Sequence, residues 1–242
     1  MGGQMKHLIE RINQSAHYHQ YIVLNSTSDA EPLRCYFSHS AAEVMPIWAG
    51  TEYANWKDAM PYIAPLPDDS FFEEMAQQQN DWGLVVSTPL SISEAKKHLC
   101  SISQIWLPTG KHVFFRFFDP DASFGILNQL SDQEKSQLMG PFAAWHSQLE
   151  QVTNPAMTDQ ASEKAFPWFE ISKASLTRFQ EKDSRTLEVN TLKWLKEQHA
   201  DLFFAFPPAI ITAKVNRLTR KYGQTPELNK RLIESLTREV YR

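Results

Sequence analysis

The segment that decides the fold runs from Trp82 to Pro120 and reads WGLVVSTPLSISEAKKHLCSISQIWLPTGKHVFFRFFDP. Three short runs in it are rich in Val, Ile and Phe and have the length of strands: Gly83–Val86, Gln104–Leu107 and Val113–Phe118. A helix is predicted between the first two, because Ser91-Ile92-Ser93-Glu94 has the capping-box pattern that satisfies free backbone N–H groups. Between the last two, Pro108-Thr109-Gly110-Lys111 predicts a hairpin turn. The segment therefore predicts the order strand–helix–strand–turn–strand.

The flanking sequence extends this pattern into an α/β first lobe and a helical last lobe. Apolar residues recur at helical spacing near the N-terminus, and Tyr21–Leu24 has the composition of a buried strand. Residues 31–38 fit either a helix with Pro32 in its first turn or a strand. After about residue 186 the apolar pattern is helical throughout. We expect an α/β (α+β) lobe with a mixed sheet over residues 1–150, followed by a smaller all-helical lobe over residues 151–242.

The composition excludes several classes of protein. Of the 242 residues, 42% are hydrophobic and 12% aromatic, which excludes a disordered chain. No stretch approaches the ~20 apolar residues of a membrane-spanning helix, and the first residues lack the apolar core of a signal peptide. Only Cys35 and Cys100 are present, so a disulfide framework is not expected. We therefore expect a cytoplasmic protein that does not insert into membranes.

The charge of the chain is unevenly distributed. Residues 1–150 carry 9 Lys and Arg against 17 Asp and Glu, a net charge of −8. Residues 207–242 carry 8 Lys and Arg against 3 Glu, a net charge of +5. This asymmetry biases encounters with charged protein partners.

A series of short motifs occurs in a fixed order over residues 20–146. The motifs are Ile47-Trp48-Ala49-Gly50-Thr51, Ala59–Leu66, Trp82-Gly83, Ser87, His98-Leu99, Leu107–Gly110, Phe115–Pro120, and Met139–Phe142 followed by Trp145. The ordered series resembles the adaptor, or effector-chaperone, family of the bacterial type VI secretion system. One departure is Asp121, which stands where that family commonly has Arg after Asp-Pro and so reverses a charge.

The resemblance implies a two-lobed adaptor that binds a secreted effector protein and the secretion spike protein. It implies no nucleotide hydrolysis. Eight residues of the motifs are expected to have mainly structural roles: Trp48, Pro65, His98, Gly110, Arg116, Asp119, Pro120 and Gly140.

Candidate catalytic residues in the deciding segment are His98, Cys100 and Asp119. Residues two apart on a helix point to different faces, so His98 and Cys100 do not form a natural nucleophilic couple. We expect His98 to cap the C-terminal end of its helix and Asp119 to cap the helix that begins near Ser123. The alternative is a hydrolase-like enzyme that uses His98 and Asp119 with a further nucleophile.

Metal and cofactor sites are not predicted. His17 and His19 alternate on a strand and have the spacing of two ligands, but no further ligand follows at a usual distance and Cys35 stands isolated. With 8 glycines in the chain, neither phosphate-binding nor dinucleotide-binding spacing occurs. We therefore expect no catalytic residue, no metal and no cofactor.

Arg116 is the most interesting charged residue, because it lies between two phenylalanines on a strand that has a buried pattern. A buried charge needs a partner. Arg116 is therefore interpreted either as a binding residue or as a structural residue whose guanidinium holds the Asp119-Pro120 turn through paired N–H donors. We favour the structural role.

The C-terminal lobe has an aromatic run and a basic helix. Phe203, Phe204 and Phe206 cannot all face one core, so one or two of them are candidate partner anchors. Arg217 and Arg220 belong to a basic stretch over residues 214–222, which also raises the alternative of a nucleic-acid-binding regulator. Because the rest of the chain is acidic and no recognised nucleic-acid motif is present, we favour a solvated helix face or a contact with an acidic protein, and we expect no nucleic acid.

Overall fold

The structure is a computed structural model that describes residues 3–158, 167–223, 225 and 227–240, without the side chains of residues 182–186. The chain forms two compact units, residues 1–176 and residues 177–242. The sequence analysis placed the division at residue 150. The structure places it later because residues 151–153 pair with the sheet and Phe169 and Ile171 are buried in the core of the first unit.

The first unit is built on an antiparallel sheet of six strands in the order β2-β3-β1-β4-β7-β8, with a separate hairpin formed by β5 and β6. A parallel bridge between Trp106 and Glu170 adds to the hairpin. The strands are β1 His19–Leu24, β2 Met45–Pro46, β3 Tyr62–Pro65, β4 Gly83–Thr88, β5 Gln104–Trp106, β6 His112–Phe114, β7 Ala144–His146 and β8 Gln151–Thr153.

The helices fall in both units and confirm the predicted class, an α+β lobe followed by a helical segment. Among the described residues, no helix has both the length and the apolar character needed to cross a membrane. The helices are α1 Gly3–Gln14, α2 Pro32–His39, α3 Asp69–Met75, α4 Ile92–Ser101, α5 Pro120–Leu127, α6 Asp132–Met139, α7 Lys173–Gln198, α8 Ala200–Phe204, α9 Pro208–Tyr222 and α10 Glu227–Val240.

Both faces of the sheet are covered, which explains why its central strands are continuous apolar runs. On β1, Ile22 and Leu24 pack with the buried residues of α1, α2 and α3. Val23, which points to the opposite face, packs with the buried residues of α4, α5 and α6. Since successive strand residues alternate between faces, both sets of positions must be apolar. Every residue of β4 is buried for the same reason.

The deciding segment has the predicted order of elements but a shorter last strand. Ser91 and Glu94 form the predicted capping box at the start of α4. The prediction of a strand over Val113–Phe118 is wrong beyond Phe114. The backbone turns there, because Phe117 N donates to Phe115 O at 2.8 Å and Asp119 N donates to Arg116 O at 3.0 Å.

The second unit has a core of its own, formed by leucines and branched aliphatic residues of the end of α7 and of α8, α9 and α10. On α9, the buried positions Ile211, Val215 and Leu218 follow helical spacing. The buried residues are Leu195, Leu202, Ile211, Val215, Leu218, Leu228, Leu232 and Leu236.

Candidate partner-binding face

Trp48 is a buried member of an aromatic cluster in the first unit. Its Nε1 donates to Ser103 Oγ at 2.8 Å, and its ring makes edge contacts with Phe114 and Phe118 at centroid distances of 5.7 and 5.8 Å. Such edge-to-face pairs stabilise a core beyond simple burial. Trp48 therefore joins the motif of residues 47–51 to the β5–β6 hairpin.

Pro65 and Gly110 also have structural roles in the first unit, which depend on their backbone groups. The carbonyl of Pro65 accepts a hydrogen bond from Tyr36 Oη at 2.9 Å. Gly110 has φ +75°, which permits the tight turn between β5 and β6.

Arg116 is not buried, contrary to the expectation from its apolar neighbours. Its side chain is 51% exposed, and its guanidinium lies 3.1 Å from Asp119 Oδ2 and 3.0 Å from Thr27 Oγ1. Asp119 Oδ1 accepts from Asp121 N at 3.0 Å and caps α5, whose first residue is Pro120. The ion pair between Arg116 and Asp119 thus stabilises the turn that leads into α5.

Asp121, the residue at which the chain departs from the motif of the family that it resembles, lies close to other carboxylates. Partial burial raises its pKa, and the negative charges of Asp119, Asp81 and Glu150 raise it further. This part of the surface therefore concentrates acidic groups.

His98 and Gly140 meet at the contact between α4 and α6. The hydrogen bond of His98 Nε2 goes to Leu138 O in the last turn of α6, at 2.9 Å, rather than to a carbonyl of its own helix as predicted. Gly140 ends α6 with φ +54°. A pocket of about 670 Å³ opens beside these two residues, and α6 lines it with Gln133, Ser136 and Gln137.

The two residues of the hydrolase alternative have different partners. His98 is bonded to Leu138, whereas Asp119 caps α5 and pairs with Arg116. Cys100 is partly buried on α4, and burial raises the pKa of its thiol.

A group of residues of metal-binding types lies elsewhere in the first unit. Among the described residues, Cys35, His39 and Glu74 form the one group of three such side chains whose ligand atoms lie close enough to share an ion. His17 and His19 are not part of it. Burial, the charge of Glu74 and a hydrogen bond to it raise the pKa of the Cys35 thiol to about 12. The spacing of Cys35 and His39, one helical turn apart, was the available sequence signal.

The aromatic run of the second unit is divided between core and surface. Phe203 and Phe206 are partly buried against the helical core, and the Phe206 ring lies 5.3 Å from Lys214 Nζ. Phe204, in contrast, is 69% exposed. Of the three predicted anchors, Phe204 is the one that the fold leaves available.

One side of α9 forms a shallow apolar and basic depression of about 340 Å³. Ile210, on its rim, is 48% exposed. The positions share one side because they are three or four residues apart on a helix. We name this surface the α9 face; it consists of Ala209, Ile210, Ala213, Lys214 and Arg217.

The basic residues of α9 differ in how far they are already paired. Lys214 Nζ lies 2.5 Å from Glu239 Oε2 and its side chain is only 18% exposed. Arg217 and Arg220 are exposed. Sequence reasoning identified both arginines but not Ile210, because an apolar residue in a helical pattern gives no sign of being exposed.

A protein-family model described as "Domain of unknown function (DUF4123)" matches residues 3–137, a little more than half of the chain. No curated protein and no solved structure gives a match.

Proposed function

Because the chain belongs to the DUF4123 family, we propose that it is an adaptor that binds a specific type VI secretion effector in the bacterial cytoplasm and helps to load it onto the secretion spike. The family is associated with type VI secretion adaptors, and the ordered motifs of residues 20–146 resemble them. The structural observation that carries the proposal is the α9 face with the exposed Phe204.

Exposed apolar side chains on this unit support a protein partner. Phe204 is 69% exposed and Ile210 48% exposed, so both leave apolar surface in water that a partner would cover. Burying a side chain of this size stabilises a complex by roughly 1.5–3 kcal/mol. Rigid aromatic side chains are also common anchors of protein interfaces.

The charges around the face indicate the chemistry of the partner. Arg217 and Arg220 are exposed, and residues 207–242 carry a net charge of +5. A segment that combines apolar side chains with carboxylates fits this surface. We assign the effector to the α9 face and the spike contact to the acidic first unit, where residues 1–150 carry a net charge of −8.

An adaptor also needs to release its cargo. Its affinity for the effector must therefore differ between the free complex and the assembled spike. In this arrangement the effector binds the basic α9 face and the spike binds the acidic first unit. The spike can then weaken the effector contact without occupying the effector's binding surface.

The two alternative functions, nucleic-acid binding and hydrolysis, fit the observed side-chain contacts less well. A nucleic-acid site over residues 214–222 is disfavoured because Lys214 is paired with Glu239 and residues 1–150 carry a net charge of −8. A hydrolase would need His98 and Asp119 to face one substrate, whereas the two side chains are held by Leu138 and Arg116.

The test is affinity purification of the tagged protein from its native cell under conditions in which the secretion genes are expressed. We expect one large effector to co-purify in stoichiometric amount, with or without a spike subunit. Recovery of the protein without a stoichiometric partner would contradict the proposal.

A further inference from the structure

Helices α2 and α3 bring together three side chains of the kinds that bind transition metals. Cys35 and His39 are one turn apart on α2 and share a side of that helix, and Glu74 lies near the end of α3. One ligand atom from each residue lies within 4.8 Å of the other two.

His39 is held in a defined orientation by residues at the start of α3. Its Nδ1 lies 2.8 Å from Ser70 Oγ, and Ser70 Oγ is also bonded to Asp68 Oδ1. An ionised carboxylate can only accept hydrogen bonds, so Ser70 donates to Asp68 and accepts from His39 Nδ1–H. Metal-binding histidines are oriented in the same way, by donating the other ring N–H to an acceptor.

This orientation directs His39 Nε2 at a negative charge. Nε2 lies 2.8 Å from Glu74 Oε2, within hydrogen-bonding distance, so the imidazole and the carboxylate face each other across the position that a metal ion would take. Cys35 donates a further hydrogen bond to Glu74.

We propose that Cys35, His39 and Glu74 are the protein ligands of a zinc ion that links α2 to α3. Binding deprotonates the Cys35 thiol and frees the His39 Nε2 lone pair, so a thiolate, a neutral imidazole and a carboxylate hold the Zn²⁺ ion and the displaced protons go to solvent.

The ligand set favours zinc over the common hard cations Mg²⁺ and Ca²⁺. A thiolate and an imidazole disfavour Mg²⁺ and Ca²⁺, which prefer oxygen ligands. Tetrahedral zinc, with bonds of about 2.0–2.3 Å, places its ligand atoms roughly 3.4–3.6 Å apart. The ligand atoms of the cluster lie within 4.8 Å of one another, so changes in side-chain torsion angles are needed to reach that spacing. Three protein ligands leave a fourth position, which solvent reaches because the Glu74 side chain is 51% exposed.

The test is titration of the metal-stripped, tag-free full chain with ZnCl₂ by calorimetry, and with Co²⁺ by absorption spectroscopy. We expect one ion per chain, a thiolate-to-cobalt charge-transfer band and a rise in Tm with zinc. Cys35→Ser and His39→Gln should abolish all three responses. Ser70→Ala should weaken binding by about 10–100-fold, the usual effect of losing a residue that orients a ligand.

Matched controls are Cys100→Ser and His19→Gln, which remove the same residue types outside the cluster and should bind zinc like the natural chain. If Cys35→Ser does not fold, the partly exposed His39→Gln and Glu74→Gln decide the question. Absence of stoichiometric binding, or equal binding by Cys35→Ser and Cys100→Ser, would overturn the proposal. The outcome is independent of effector binding.

Discussion

Gly140 lies so close to the His98 imidazole that no side chain fits between them. A Cβ atom at Gly140 would lie 2.3 Å from His98 Cε1. His98 Nε2 in turn donates to Leu138 O, in the last turn of the helix that Gly140 ends. The glycine thus allows a histidine from α4 to cap α6.

Gly140→Ala should therefore destabilise the first unit more than Gly110→Ala does. Both glycines have positive φ, +54° and +75°, but a Cβ at Gly110 meets nothing within 4 Å. Gly110→Ala costs backbone strain of about 1–2 kcal/mol. Gly140→Ala costs at least as much, because φ +54° and ψ −113° lie outside the left-handed helical region, and it also displaces His98 and its hydrogen bond, at about 1–3 kcal/mol. The free energies of unfolding in urea measure the difference. Equal values for the two variants would show that the contact with His98 is unimportant.

Glu134 joins the start of α6 to the start of α7. Its carboxylate forms a capping box with Ser131 and accepts from Ser175 Oγ at 2.7 Å and Ser172 N at 2.8 Å. Burial raises its pKa, but these hydrogen bonds outweigh that effect and lower the pKa to about 2.

Glu134→Gln should reduce the free energy of unfolding by about 1.5–3 kcal/mol, because hydrogen bonds to a charged acceptor are replaced by weaker ones. Asp132→Asn is the matched control. Asp132 lies in the same first turn with its side chain 85% exposed, so its change should cost far less. Chemical unfolding at neutral pH measures the free energy of unfolding of both variants. A loss of stability in Asp132→Asn as large as that in Glu134→Gln would contradict the structural role of the Glu134 carboxylate.

His146 should make stability depend on pH between about 4 and 6.5. It is fully buried and contacts Ser87 Oγ at 3.1 Å. Desolvation, and then the charge of Arg11, lower its pKa from 6.5 to about 4. In this range the unfolded chain binds a proton that the folded chain does not, so stability falls as the pH is lowered, by roughly 3 kcal/mol in total.

His146→Gln should remove that part of the pH dependence, as measured by urea unfolding at a series of pH values. His7→Gln, at a site whose side chain is 70% exposed, should leave it unchanged. A pH dependence in His146→Gln identical to that of the natural chain would refute the assignment. Protonation of Glu134 acts separately, because its stabilising effect is lost as the pH falls from about 4.5 towards 2.

The features that sequence predicts well are those formed by neighbouring residues. The capping boxes at Ser91 and Ser131 and the N-cap at Asp119 each depend on contacts within three residues, so the motif itself specifies them. The end of the last strand is different. Phe115 N donates to Ser103 O, twelve residues earlier, and this pairing cannot be deduced from the run Val113–Phe118.

The candidate sites also depend on contacts between distant segments, which the sequence does not predict. Three phenylalanines of one short run are equivalent in sequence, and only the packing of the helices distinguishes the exposed Phe204 from Phe203 and Phe206. Cys35 was treated as isolated because Glu74 comes from another helix, 39 residues further along the chain. Its proximity depends on how α2 packs against α3.

The central claim is that Phe204 and the α9 face bind the effector. The most direct measurement compares the effector recovered by affinity purification with the natural chain, with Phe204→Asp and with Val189→Asp, each produced at the same level in the native cell. Val189 is a suitable control because it is an apolar residue with similar exposure, 63% against 69%, on a different helix. We predict that Phe204→Asp loses the effector at least tenfold while Val189→Asp retains it. Full recovery with a folded Phe204→Asp variant would contradict the assignment of this face.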